Sequence, residues 1–188
     1  MAKQAGPLTA EEKRAMPYRP CVGSIVVNSD GLVWMGRRLP NEEYQGAARL
    51  WQFPQGGIDE GEDAEKASLR ELYEETSIRS VSLITDVPGW LTYDLPDDLI
   101  GTALKGKYRG QKQRWFVYKL DGVESEIDVV TPPDGHEPEF DRWEWVTIEE
   151  APSRAVNFKV PLYETIIDHL RGHEAIKWSA EPSVGSAA

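Results

Sequence analysis

A chain of 188 residues with 40% hydrophobic content is long enough to fill one core and short enough to be one domain. Its formal net charge of -11 excludes a protein that coats nucleic acid indiscriminately, because counterion-release binding needs many clustered Lys and Arg; any contact is expected to be local, and no DNA partner is expected. The single cysteine, Cys21, cannot pair within the chain, and neither an apolar leader nor an apolar run of about 18 residues occurs, which points to the cytoplasm and away from membranes.

Residues 1 to 16 are polar and are expected to form a flexible extension, because such a composition cannot offset its own ordering entropy. The β-branched run Cys21 to Asn28 reads as a strand, the Asn28-Ser29-Asp30-Gly31 cluster as a turn, and Leu32 to Arg37 as the partner strand of a hairpin. Residues 41 to 50 carry no sustained period and read as a loop before Trp51-Gln52-Phe53-Pro54, after which Gln55, Gly56 and Gly57 open another turn. From Asp63 to Thr76 strong helix formers predict a helix that buries Ala64, Ala67, Leu69 and Leu72, with acidic residues near its positive end. Val81 to Val87, Trp90 to Leu95, Gln113 to Leu120 and Arg142 to Val146 read as strands from their β-branched and aromatic content. A last helix is expected to begin at Pro161, bury Leu162, Ile166 and Leu170, and stop at Gly172. The expected architecture is α+β, an α/β/α sandwich around a mixed central sheet over residues 17 to 178, followed by a disordered tail at 179 to 188.

The helix carries charge that local stability would not select. With about 100° per residue, Glu74 falls about 60° to one side of Glu71 and Glu75 about 40° to the other, so the three carboxylates share a face. Like charges at these spacings cost an isolated helix a few tenths of a kcal/mol each, roughly, and here they crowd its negative end. A divalent cation reverses the sign of that cost, since hard oxygen ligands within one turn suit magnesium or manganese. A bare Glu-x-x-Glu-Glu is more often a solvated acidic face. The Gly-rich approach Gln55 to Glu62 tilts the balance, because glycines let backbone carbonyls come close to a ligand.

Residues 56 to 78, GGIDEGEDAEKASLRELYEETSI, resemble the Nudix box, G-x5-E-x7-R-E-U-x-E-E-x-G-U with U aliphatic. Gly56, Glu62, Arg70, Glu71, Leu72, Glu74, Glu75 and Ile78 match, while Ser77 stands where the family has a glycine that ends the helix in a left-handed conformation. The stretches YRPCVG at 18 to 23, WQFPQGGI at 51 to 58, GWLTYDLP at 89 to 96, GQKQRWF at 110 to 116, PEFDRWEWV at 138 to 146 and VNFK at 156 to 159 are similar to the subgroup of bacterial RNA pyrophosphohydrolases and dinucleoside polyphosphate hydrolases. The N-terminal extension, the loop at 41 to 50, the acidic loop at 121 to 137 and the tail are additions to the compact pattern.

The resemblance implies an enzyme that removes pyrophosphate from the 5′-triphosphate end of RNA or splits dinucleoside polyphosphates such as Ap4A. It implies Mg2+, with Mn2+ as a substitute, held by Glu71, Glu74, Glu75, Glu139 and the Gly56 carbonyl, with Arg70 orienting the glutamates. Glu74 or Glu139 would accept the proton of the attacking water. It also implies substrate contacts from Arg19 and Arg38, from Gln111, Lys112, Gln113 and Arg114, and from Phe158 stacking on a base, although Phe158 alone reads more readily as core. Lys105, Lys107 and Arg109 extend the positive run, and for them a solvated loop is an equal alternative. Trp51, Phe53, Trp115, Trp143 and Trp145 read as core, and His136, His169 and His173 are assigned no chemistry. Housekeeping hydrolysis of free nucleotides is the competing activity, and a catalytically silent nucleotide-binding module the competing class.

Overall fold

The computed structural model describes residues 8–40 and 50–181. The expected loop at 41 to 50 lies, apart from Leu50, outside the described residues, as does the tail beyond residue 181. Among the described residues seven strands form one sheet: β1 (Tyr18–Val27), β2 (Val33–Arg38), β3 (Trp51–Gln52), β4 (Gln55–Gly57), β5 (Val81–Asp94), β6 (Gly110–Leu120) and β7 (Phe140–Val146). The order is β3-β2-β1-β6-β5, with β4 added to β1 and β7 to β2. Every pairing is antiparallel except β1 with β6, which run parallel from Tyr18 opposite Gly110 to Val27 opposite Lys119.

The sheet is covered on both faces, as expected of the sandwich. β1 shows why: it is central, so Cys21 through Val27 are all buried, and alternate residues serve different cores. Val22 and Val26 pack with Ala67 and Leu72 of helix α2 (Ala64–Thr76), while Ile25 and Val27 belong to the core closed by helix α4 (Val160–Leu170). Helix α1 (Ala10–Ala15) buries none of its residues, while the single turn α3 (Ala151–Arg154) adds Ala151 to the core that α4 closes.

Four local expectations change. Gln55–Gly57 is not a turn but the short strand β4, paired antiparallel with Cys21–Gly23, because the sheet offers these backbone groups partners that a turn would leave to water. Val81–Asp94 is one strand rather than two; pairing lapses between Val87 and Leu91, where Pro88 lacks a donor and Gly89 takes φ +79. Leu69 is 37% exposed, and Ser68, Glu75 and Thr76 take the buried positions, since α2 is rotated toward its polar edge. Residues 10 to 15, expected to fray, form a helix with a reciprocal Thr9–Glu12 capping box.

Both ends of α2 are chemically defined. The Asp63 carboxylate accepts the N–H groups of Glu65 and Lys66, each at 3.1 Å. At the other end Ser77 adopts φ 64, ψ 0, its N–H donating to the Tyr73 carbonyl at 2.8 Å. A non-glycine residue pays about 1 kcal/mol in this region, and here the Ser77 hydroxyl offsets part of it by donating to the Asp128 carbonyl at 3.1 Å. The acidic loop clasps the same end of the helix: Asp128 N–H donates to the Thr76 carbonyl at 3.0 Å, and Glu126 accepts the N–H groups of Arg79 and Ser80.

Candidate active site

The carboxylates of α2 meet the sheet where β4 crosses them. Gly56 is there because nothing larger fits: an added Cβ would lie 1.9 Å from the Glu71 carboxyl group, which is seated against the backbone of β4. One turn on, Glu75 is 4% exposed and its Oε2 accepts the Gln55 N–H at 3.0 Å. Its other oxygen, Oε1, is buried with no hydrogen-bond donor. Across from it comes Glu139, just before β7, a second carboxyl group facing the same oxygens. Burial pushes the Glu75 carboxyl well above the usual carboxylate range, and the Glu139 and Glu71 charges push the same way. Glu71 is raised as well, first by burial and then by Glu74 and Glu139, against the pull of Arg70.

Arg70 organises the remaining charge. Its guanidinium grips Glu62 bidentately, Nε to Oε1 and Nη2 to Oε2 at 2.8 Å each, while Nη1 donates to Glu71 Oε1 at 2.9 Å and to Glu74 Oε2 at 3.3 Å. Nη2 also donates to the Gly57 carbonyl at 2.9 Å, tying the helix to β4. The hydrogen bonds from Arg70 hold the Glu62 carboxyl at about 2, and those carboxylates raise the Arg70 guanidinium above its ordinary value. Arg38 donates to Glu139 and so joins this cluster. His136, to which the sequence assigned no chemistry, places Nε2 at 3.8 Å from Glu74 Oε1; the folding of the acidic loop beside α2 brings it there, and no residue spacing signals it.

Among the described residues no three His, Cys, Asp or Glu groups form a ready-made metal cage. Arg70 and Arg38 engage Glu71, Glu74 and Glu139 instead. The donor set nonetheless fits a hard divalent cation. It is all oxygen, it seats Glu71 against a glycine and Glu75 on the neighbouring backbone N–H, and it leaves one buried oxygen without a donor, which a cation would satisfy and a hydrogen bond does not.

The expected substrate residues divide. The Arg19 guanidinium lies against Gly57, where an added Cβ would come within 2.4 Å of Nη2, on the face of β4 opposite the one where Glu71 meets Gly56. Gln111 and Gln113 are 4% and 0% exposed, lying beneath the surface rather than on it. Gln113 donates to Gln111 Oε1 at 2.8 Å and accepts the Trp115 indole N–H at 3.1 Å, a brace beneath the floor. Lys159 reaches the same buried layer, donating to Gln52 and Gln55 at 3.0 and 3.2 Å. Arg114 pairs with Asp86 at 2.7 Å and Lys112 sits 5.2 Å from the centre of the Trp90 ring. Phe158 stands 5.6 Å from Tyr93, ring to ring, and lines a cleft of about 460 Å³ with Trp90 and Pro161. Of the five aromatics read as core, Phe53, Trp115 and Trp145 are buried, while Trp51 and Trp143 are half-buried and pack at the margins.

Comparison with known proteins adds an independent line. The NUDIX domain family matches residues 17–166. An RNA pyrophosphohydrolase of Rhizobium meliloti (strain 1021) is 58% identical over 162 residues, 85% of this chain and 95% of that protein. Among solved structures, the E. coli dihydroneopterin triphosphate pyrophosphohydrolase superposes with a TM-score of 0.58 at 19% identity, covering 81% of this chain and 98% of that one. A C. elegans Ap4A hydrolase in a binary complex gives 0.55 at 18% identity, covering 82% and 98%. These two likenesses establish the shared fold.

Proposed function

The chain belongs to the Nudix family, and from that premise we propose that it is a Mg2+-dependent pyrophosphohydrolase of the 5′-triphosphate end of RNA, with its hydrolase domain at residues 17 to 178. The observation that carries the reading is the donorless Glu75 oxygen, buried among like charges beside Gly56. Such an arrangement is unfavourable alone and becomes favourable when a cation and a polyphosphate share it.

Glu71 and Glu75, the more buried pair, hold the ion, with Glu74, Glu139 and the Gly56 carbonyl completing the set. When bound, a divalent cation neutralises phosphate oxygens and lowers the pKa of water, and Mn2+ supplies the same chemistry. Arg70 positions the carboxylates: its bidentate grip on Glu62 fixes the guanidinium, which then orients Glu71 and Glu74. Glu74 and Glu139, with side chains 24% and 39% exposed, are the more open two of the four, and one of them takes the proton of the attacking water. Arg19, beside Gly57, neutralises phosphate charge, and Arg38 holds Glu139 until substrate arrives. Gln111 and Gln113 act from below, by fixing Gln55 and hence β4.

Release of pyrophosphate from triphosphorylated RNA, measured beside Ap4A and ATP with Mg2+, tests the reading. RNA turnover well above that of ATP is expected, and equal turnover of ATP would make the protein a nucleotide housekeeper. A second reading, cleavage of dinucleoside polyphosphates, draws support from the cleft of Trp90 and Phe158, whose faces suit a base. Preference for Ap4A in the same assay would establish it.

A further inference from the structure

The segment from Phe53 to Gln55, which leads into β4, is pinned by three elements at once. Phe53 N–H donates to the Tyr163 hydroxyl of α4 at 3.0 Å, and Ser24 N–H of β1 donates to the Pro54 carbonyl at 2.9 Å. Gln55 N–H donates to Glu75 Oε2 of α2 at 3.0 Å. Pro54 has no N–H of its own, so both donors of the segment go to side chains, one from each of the helices that cover opposite faces of the sheet.

Position 163 carries a hydroxyl for a reason that packing does not supply. The ring is fully buried, 4.8 Å from the Phe53 ring and 5.9 Å from that of Trp115, and a phenylalanine would fill the same space. A buried hydroxyl costs free energy unless it is hydrogen-bonded, and this one is bonded to the backbone two residues before the N–H that holds Glu75. Burial raises the phenol above its ordinary value, the Phe53 N–H opposes that shift, and the Glu75 charge adds to it, so the two side chains sense each other through the sheet.

The backbone between them has little room to absorb a displacement. The fixed φ of Pro54 stiffens it. Gln55 is also held by its side chain, where Lys159 donates to Oε1 at 3.2 Å, and Gly56 next in line has the Glu71 carboxyl seated against it. We propose that Tyr163 is a positioning residue for the metal site, acting from the α4 face through the backbone of Phe53 to Gln55 to fix the carboxylate of Glu75. The assignment rests on the reading of Glu75 as a metal ligand and adds to it a residue that has no atom among the carboxylates.

The test is Tyr163→Phe, which keeps the ring and removes the acceptor of the Phe53 N–H. Mn2+ binding, read without substrate from the electron paramagnetic resonance of the free ion, weakens about tenfold, the lower end for a residue that orients a ligand from behind. In turnover the half-saturating Mg2+ concentration rises by a similar factor, while at saturating Mg2+ kcat and the KM for triphosphorylated RNA return to within about twofold of the unaltered protein. Ile166→Val, three residues along the same helix and fully buried in the same core, controls for lost packing: it lowers the unfolding temperature and leaves Mn2+ affinity unchanged. Equal weakening in both variants overturns the proposal. The unaltered protein supplies a measurement that needs no variant to fold. Coupling is reciprocal, so Mg2+ slows amide exchange at Phe53 and Gln55 by more than at Ile25 of the same core, and protection confined to Gln55 overturns the role of Tyr163. If the unaltered protein binds no Mn2+, the metal reading itself fails and takes the proposal with it. If it binds Mn2+ and Tyr163→Phe binds it equally well, that reading stands and the role of Tyr163 alone falls.

Discussion

Two buried polar regions lie on either side of β4 and obey opposite rules. On the α4 side, Gln55, Gln111, Gln113 and Lys159 are interlocked by hydrogen bonds, so burial costs them little. On the α2 side, Glu71, Glu75 and Glu139 face one another with one oxygen lacking any donor, and burial raises the affinity of Glu71 and Glu75 for protons. The first region resembles a structural brace, and the second a site that is complete only with a ligand. Polar burial alone does not mark function, and neither does one unpartnered atom, since Gln52 Nε2 of the brace lacks a partner too; what sets the α2 side apart is an unpartnered oxygen among like charges.

Substitutions break this comparison most sharply where charge is removed without loss of volume. Glu75→Gln is expected to lower turnover by roughly a thousandfold or more while stabilising the metal-free protein by about 1–3 kcal/mol, because a side-chain amide can donate to Glu139. The sign follows from linkage: a carboxyl whose folded pKa is raised loses stability as pH rises through its unfolded value near 4.5, so the gain of the variant appears at neutral pH and vanishes below about 4. Thermal unfolding at pH 4 and pH 7.5, without metal, checks both. On the other side, Gln113→Leu strands the Trp115 N–H and is expected to cost about 1–3 kcal/mol of stability with turnover kept within tenfold; a larger catalytic loss at unchanged stability would move Gln113 into the site.

A smaller effect tests the link between helix and strand. The folded Glu62 carboxyl, held at about 2, contributes stability present above its unfolded value near 4.5 and lost as pH falls toward 2. Glu62→Gln therefore flattens acid unfolding in that window and costs about 1 kcal/mol at neutral pH, a modest figure for a partly exposed pair. Arg70 loses its anchor in this variant, so kcat falls while KM changes little. Smallest of all, Ser77→Gly relieves the left-handed strain but removes the hydroxyl bond to Asp128, leaving a net change within about 0.5 kcal/mol by chemical denaturation and an unaltered turnover.

The helix and its shared carboxylate face were legible in the sequence because both follow from periodicity within one turn, and the Ser77 cap followed from the position of the family glycine. The hairpin of β1 and β2 was legible for the same local reason. What the residues did not disclose is tertiary. A run such as Gln111 to Arg114 alternates across the sheet, so two residues turn inward to the brace and two outward to Trp90 and Asp86, a division that depends on which face α4 covers. His136 reaches Glu74 only because the acidic loop folds along α2, and no spacing within residues 121 to 137 encodes that path. Gln55–Gly57 looked like a turn because glycines dominate it; its pairing with β1 becomes evident only once the neighbouring strand is present.

The parallel registry of β1 and β6 has a consequence for how the molecule is made. Tyr18 and Gly110 are neighbours in space but roughly ninety positions apart along the chain, the kind of contact that slows folding because a large loop must close first. During synthesis the early hairpin can collapse at once, yet the partner that fixes Arg19 emerges only when β6 does. The catalytic floor is thus a late event of biogenesis, and a nascent chain halted before residue 110 would carry the acidic helix with no competent enzyme around it.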